Sequence, residues 1–276
     1  MSTKSAGSHI ERFAGIDRLA HALLMISFLG LATTGLPLLF SHSPWARWIA
    51  VALGGIHFAG IIHRILAVVL ITVFLGHIVR VFRRVVVEKR TGLLWGPESL
   101  VPQPRDLVQL LQHLRYFLGR GPRPNFDHFT YWEKFDYWAV FWGMFVIGGS
   151  GLMLWFPLFF SSLLPGWILN IAMIVHGEEA LLATGFIFMI HFFNENFRPS
   201  RFPMNNVMFT GAVNLEELAE ERPAEFARYR ERGGEGWRHL EEEDPQLRRW
   251  GRVLGGFGLI AGTTLLVLIV IGLLTL

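Results

Sequence analysis

His176 and His191 lie fifteen residues apart in one otherwise apolar run, HGEEALLATGFIFMIH. On an α-helix that interval turns through roughly 1500°, about 60° past a whole number of turns, so both rings face broadly the same way about 22 Å apart along the axis. The run is long enough to cross a membrane, which puts one histidine near each face of the bilayer. Ionisable side chains inside a span are expensive and mark functional positions by default. Two histidines at two depths on one helix therefore predict two stacked metal centres. The chemistry that suits them best is a pair of haems, each held from one side by this helix. The segment between them, ALLATGFIFMI, is almost wholly apolar. That argues for two separate sites and against the competing reading of a histidine-lined transporter or metal-ion channel.

The rest of the composition narrows the chemistry. With 52% hydrophobic and 14% aromatic residues, the 276-residue chain is too apolar for an ordinary soluble domain and fits an integral membrane protein. It has no cysteine, which removes disulfides, iron–sulfur clusters ligated by this chain, covalent c-type haem attachment and thiolate zinc sites. A net charge of +3 gives no sign of a nucleic-acid partner.

Five stretches pass the length test for membrane helices, at about 16–40, 57–82, 135–160, 168–193 and 253–276. The first run has no A-x-A cleavage site after it, and Glu11, Arg12, Asp17 and Arg18 crowd its start, so it reads as a retained span. Lys and Arg gather before the first span, around the link between the second and third, and between the fourth and fifth, whereas the opposite side carries only Arg47 and Arg64. The N-terminus is then expected in the cytoplasm of a bacterial cell with a multi-pass inner-membrane protein, and the C-terminus outside. The external links are expected to be a short interfacial segment at 41–56 and a tight turn at 161–167. Residues 104–118 are expected to form an interfacial helix with Leu107, Leu110, Leu111, Leu114 and Leu118 on one stripe. Residues 196–252 read as a charged, solvated arm.

These elements decide which other residues can meet the two histidines. Five of the eleven histidines fall inside predicted spans: His21, His63, His77, His176 and His191. Depth pairs His63 with His176 near the outer face. Near the inner face His191 has two possible partners, His21 and His77. Bis-imidazole ligation fills both axial positions of a haem and suits electron transfer. Gly143, Gly148, Gly149 and Gly151 on the third span leave room for a flat macrocycle or for close helix packing. Arg64 outside, and Arg18, Arg80 or Arg198 inside, are the candidate propionate partners. Glu178 and Glu179 are candidates for orienting His176 or carrying protons, or they simply complement the helix dipole.

In order and spacing, ERFAGIDRLAHALLMISFLGLATTGLPLLF, HRILAVVLITVFLGH, PRDLVQLLQHLRYFLGRGPRPNFDHFTYWEKFDYWAVFWG and HGEEALLATGFIFMIH resemble the di-haem cytochrome b (gamma) subunit of membrane-bound formate dehydrogenases, related to the b-type subunits of nickel–iron hydrogenases. The resemblance covers roughly residues 10–195. It implies an all-α integral membrane bundle with a four-helix di-haem core at 1–195; to this the residues themselves add the arm at 196–252 and a fifth transmembrane helix at 253–276. It implies two haem b, with His21 and His191 as ligands of the inner one and His63 and His176 of the outer one. It also implies a quinone, menaquinone or ubiquinone, beside the inner haem with Glu133 and Lys134 of YWEK nearby. The expected function is a quinone-reactive electron-transfer subunit of a respiratory complex, with substrate chemistry on an iron–sulfur or multihaem cytochrome c partner. The fifth span, the long arm and His77 depart from the family pattern and suggest a branch with a different partner. His77 stays as a secondary candidate for the quinone pocket or proton transfer. A redox-silent anchor is the other competing reading, and the presence of all four expected ligands argues against it.

Overall fold

The computed structural model describes residues 9–275 and is mostly helical. Five helical stretches are long and apolar enough to cross a membrane: Gly15–Leu39, Ile56–Val87, Tyr131–Trp155, Trp167–Phe197 and Pro245–Leu274. They coincide with the five apolar runs of the sequence, with ends shifted for identifiable reasons. The third stops at Trp155, because Pro157 has no N–H to continue the ladder and Phe156 before it takes φ −118°, ψ 56°. The chain then makes a short helix, Pro157–Leu163, over the last residues expected in the span and the first three of the expected turn. The fifth begins at Pro245, eight residues ahead of its uncharged stretch, and its first turns carry Arg248, Arg249 and Arg252.

The described chain divides into two compact units that interleave along the sequence. One comprises residues 19–77, 140–205 and 250–276. It contains most of α1 (Gly15–Leu39), all of α2 (Pro44–Ala52), and most of α3 (Ile56–Phe82). From the third stretch it takes the end of α5 (Tyr131–Gly143), then α6 (Gly149–Trp155) and α7 (Pro157–Leu163). α8 (Trp167–Phe186) and nearly all of α12 (Pro245–Leu274) complete it. Its buried apolar cluster joins Leu29, Ala32, Leu36 and Phe40 of the first span to Ala46, Phe188, Leu265 and Ile269. The last span gets close through small residues. A Cβ on Gly262 would lie 2.6 Å from Phe192 and 2.7 Å from Phe188, and one on Gly272 would lie 2.5 Å from Phe40. Two spans widen into π-helical turns in this unit, at Met144–Gly148 and Ile187–His191.

The other unit comprises the residues up to Arg18, 78–139 and 206–249. Its sheet has the order β2 (Ala212–Asn214), β1 (His9–Glu11), β3 (His239–Leu240), both pairings antiparallel, with Ile10 opposite Val213 and His239. α4 (Pro104–Phe117) opens with a proline and a capping box between Gln103 and Asp106. It turns Asp106 and His113 inward and leaves Leu107, Leu111, Leu114 and Leu118 exposed. α9 (Val207–Thr210), α10 (Leu215–Glu221) and α11 (Pro223–Glu231) follow.

Within the segment expected as a solvated arm, residues 207–226 are packed, whereas 231–250 are mostly exposed. Leu218 and Val213 are buried with Ile10, and Glu221, Arg222 and Glu225 are buried too. Its charges are matched internally: Arg222 with Glu133, Arg12 and His128 with Glu225, Arg123 with Glu221, and Arg228 with Asp127. A hydropathy reading counts each of these charges as a solvent contact, and only the distant partner turns it into a core contact.

Candidate functional site

His63 on α3 and His176 on α8 are brought together. Their ring centres lie 6.2 Å apart with 69° between the planes. Two metal–imidazole bonds of about 2.1 Å, with roughly 1.1 Å from each nitrogen to its ring centre, place two axial rings about 6.4 Å apart. The observed separation fits that arrangement, and two rings sharing one axis are free to take any mutual twist.

The hydrogen bonds also bear on which nitrogen is available. Thr34 Oγ1 lies 2.8 Å from His63 Nδ1 and 2.8 and 3.2 Å from the carbonyls of Gly30 and Leu31 in its own helix. With its proton on either carbonyl, the hydroxyl accepts from Nδ1–H. On the other side His176 Nδ1 lies 2.9 Å from the carbonyl oxygen of Ile147, which can only accept, with Ser150 Oγ at 3.3 Å. Ile147 belongs to the π-helical turn of the third span, where the wider winding disturbs the regular backbone ladder. The carbonyl contact puts the His176 proton on Nδ1 and leaves its Nε2 bare, the form that binds a metal, and the Thr34 contact accommodates the same tautomer of His63.

Each ring also rests against a glycine. A Cβ on Gly35 would lie 3.3 Å from His63 Cε1, and one on Gly151 would lie 2.9 Å from His176 Cε1. Of the four glycines expected to line a flat group, Gly151 is the one that meets a functional ring. Gly143 and Gly148 meet only Ile147 and Met144 of their own helix, and Gly149 has nothing within 4 Å.

Of the other expected pair, His21 lies on α1 and His191 at the end of the π-helical turn Ile187–His191, and both are partly buried. The ring of His77 meets Phe141 edge-on at 6.5 Å. Among the described residues no three His, Asp or Glu side chains converge as a cage for a bare metal ion. A haem asks for less, because its macrocycle supplies the four equatorial donors and the protein only the axial ones.

The remaining candidates fall into other surroundings. Arg64, next to His63, is exposed, with its guanidinium 5.9 Å from the centre of the Trp155 ring. Arg18 donates to the carbonyls of Thr210 (2.7 Å) and Phe209 (3.2 Å), closing the end of α9, and Arg80 is held by both carboxylate oxygens of Asp17. Glu133 accepts from Arg222 at 2.6 and 2.8 Å and from the backbone and hydroxyl of Thr130, both at 2.8 Å. Lys134 is 1% exposed and donates to both oxygens of Asp106 at 2.8 and 2.9 Å. Each of these two residues thus spends its charge inside the unit that holds the start of α5.

Glu178 and Glu179 do not orient His176. Glu179 accepts from Trp142 Nε1 at 3.2 Å, and α8 begins at Trp167, three turns ahead of both carboxylates and too far for its dipole.

The supports of the histidines, namely Thr34, Gly35, Ser150, Gly151 and the Ile147 carbonyl, are ordinary residues of apolar helices. No spacing rule picks them out, because each is defined by which neighbouring helix faces it. Comparison with models of known protein families yields no match, and comparison with curated proteins yields none either.

Proposed function

We propose that this chain is a quinone-reactive di-haem cytochrome b, the membrane subunit of a respiratory oxidoreductase complex in a bacterial inner membrane, with its N-terminus in the cytoplasm and its C-terminus outside. One observation carries the reading: two imidazoles from different helices sit at axial separation, each with Nδ1 tied back to its surroundings. His63 and His176 would hold the outer haem, and His21 and His191 the inner one. Held by these histidines, such a group would supply reversible one-electron transfer and would leave substrate chemistry to a partner.

The chain's own residues do the positioning. Thr34, Ile147 and Ser150 hold the rings at Nδ1, which fixes their orientation and raises ligand basicity. Gly35 and Gly151 let the rings lie against their neighbouring helices. Arg64 is the cation available to an outer carboxylate. Quinone is assigned to the cytoplasmic side, near the start of α5. There Glu133 and Lys134, already ion-paired, act as positioning residues for the polypeptide, and His77 remains a candidate for proton transfer.

Reduced-minus-oxidised spectra and pyridine haemochrome analysis of the purified chain test this directly. The expected result is b-type bands and about two haems per chain. His63→Ala or His176→Ala should remove one, His21→Ala or His191→Ala the other, and His77→Ala neither. A colourless preparation of the folded protein would sink the proposal, and loss of a haem from His77→Ala with retention in His21→Ala would reassign the inner ligand.

A further inference from the structure

α8 carries its histidines on one side and a carboxyl group on the other. At 100° per residue Glu178 points roughly 160° away from His176. The stripe it occupies faces outward: Ile171, Ile174, Leu182 and Met189 are large exposed hydrophobics, and a Cβ on Gly185 would meet nothing within 4 Å. Glu178 is itself exposed. Unlike Glu179, which accepts from Trp142, it has no hydrogen bond or ion pair with any described residue. The span runs from Trp167 to Phe197, so Glu178 lies about 6 Å from its middle, well inside a hydrocarbon layer about 30 Å thick. A glutamate side chain is too short to reach the headgroups from that depth. Ionisable residues at such depths normally turn into the bundle and pair there, but Glu178 turns out of it.

No described residue supplies a partner, and an ionised Glu178 calls for a positive charge. In a second copy, the exposed Arg64 over Trp155 is the cation on offer, and the test below separates that occupant from a partner helix. We propose that the outward face of α8 from Ile171 to Met189, centred on Glu178, is the docking surface for a membrane-spanning helix of a partner subunit that bears a lysine or arginine at matching depth. The proposal rests on the reading of the chain as a subunit of a membrane complex, and it does not depend on haem.

The test uses the full chain in lipid nanodiscs and a synthetic Leu/Ala single-span helix with one lysine at the depth of Glu178, compared with the same helix bearing leucine there. Association is read by energy transfer between labels, and haem content is measured on the same samples. The lysine helix should bind about three- to tenfold more tightly than the leucine helix. Glu178→Leu, which suits a lipid-facing position, should abolish the difference without changing haem content, and Glu179→Gln should keep it. Equal binding of the two helices, or a preference that survives Glu178→Leu, overturns the proposal. So does a self-associated form of the chain alone that dissociates on Glu178→Leu, which would give the face to a second copy. A colourless chain that still prefers the lysine helix would count against the haem reading and leave this one standing.

Discussion

Thr34 has one hydroxyl proton, and its use on a carbonyl of its own helix leaves the oxygen to accept from an imidazole on another helix. On the proposed reading, Thr34→Val removes the acceptor for His63 Nδ1–H. Outer-haem affinity should then fall by about 10–100-fold, as when other outer-shell partners of metal-bound histidines are removed. Haem transfer to an apo-globin acceptor measures this. Gly151 gives a steric version of the same argument. In Gly151→Ala the new methyl would lie 2.9 Å from His176 Cε1, so the ring must move and the outer haem should be lost or weakly held. Gly149→Ala, where nothing lies within 4 Å, should keep two haems per chain by pyridine haemochrome. Equal haem content in the two alanine variants would show that the glycine contact does not position the ring.

Elements depend on which face they offer each other. α12 has a wholly apolar membrane-length stretch, yet its buried residues are chiefly glycines, Gly251, Gly255, Gly258, Gly262 and Gly272, with Leu265 and Ile269. Small residues let helices approach closely in a membrane, where van der Waals packing replaces the hydrophobic drive. Gly262→Ala would place a methyl 2.6 Å from Phe192, and overpacking of this kind typically costs about 1–3 kcal/mol. Gly256→Ala meets nothing within 4 Å and should be neutral, or stabilising by up to about 1 kcal/mol through helix propensity. Thermal unfolding in detergent distinguishes the two, and a Gly262→Ala protein as stable as the parent would show that α12 is not packed through this face.

At the scale of the whole molecule, the unit that contains the sheet should be sensitive to acid. Burial alone would raise the Glu225 carboxyl. The hydrogen bond from His128 and the charges of Arg12, His128 and Arg222 outweigh it and hold the group at about 2. Because the folded value lies below the ordinary 4.5, the associated stability is fully present above about pH 4.5 and is lost as the pH falls towards 2. It amounts to at most about 3 kcal/mol. Hydrogen-exchange protection factors across residues 206–231, with the intrinsic pH dependence of exchange divided out, should fall over that window in the parent. In Glu225→Gln they should be low already at pH 6, with a shallower dependence on acid. A parent whose protection factors show no acid dependence between pH 5 and 2 would remove Glu225 as the cause.

The five apolar stretches and the five histidines inside them were legible in the sequence, because span length and hydropathy are local properties. The pairing by depth was legible too, since His63 and His176 follow from counting residues along helices that alternate in direction. What made that pair a plausible site was not. Thr34, Gly35, Ile147 and Ser150 matter only through the faces that neighbouring helices turn to them. Within the 196–252 segment, residues 207–226 misled for the same reason: Glu225 and Arg12 are 213 residues apart, and each reads as a solvated charge until the other is placed against it. Glu133 and Lys134 read as candidates for a quinone site, and their ion pairs with Arg222 and Asp106 were not legible in the sequence. Sequence determined which stretches are long and apolar enough to cross a membrane and where along them each histidine falls, because transfer out of water is a sum over neighbours in the chain. Tertiary structure decided which charges are matched, which groups hold Nδ1 of each outer imidazole and which carboxyl faces outward, because those depend on partners remote in sequence.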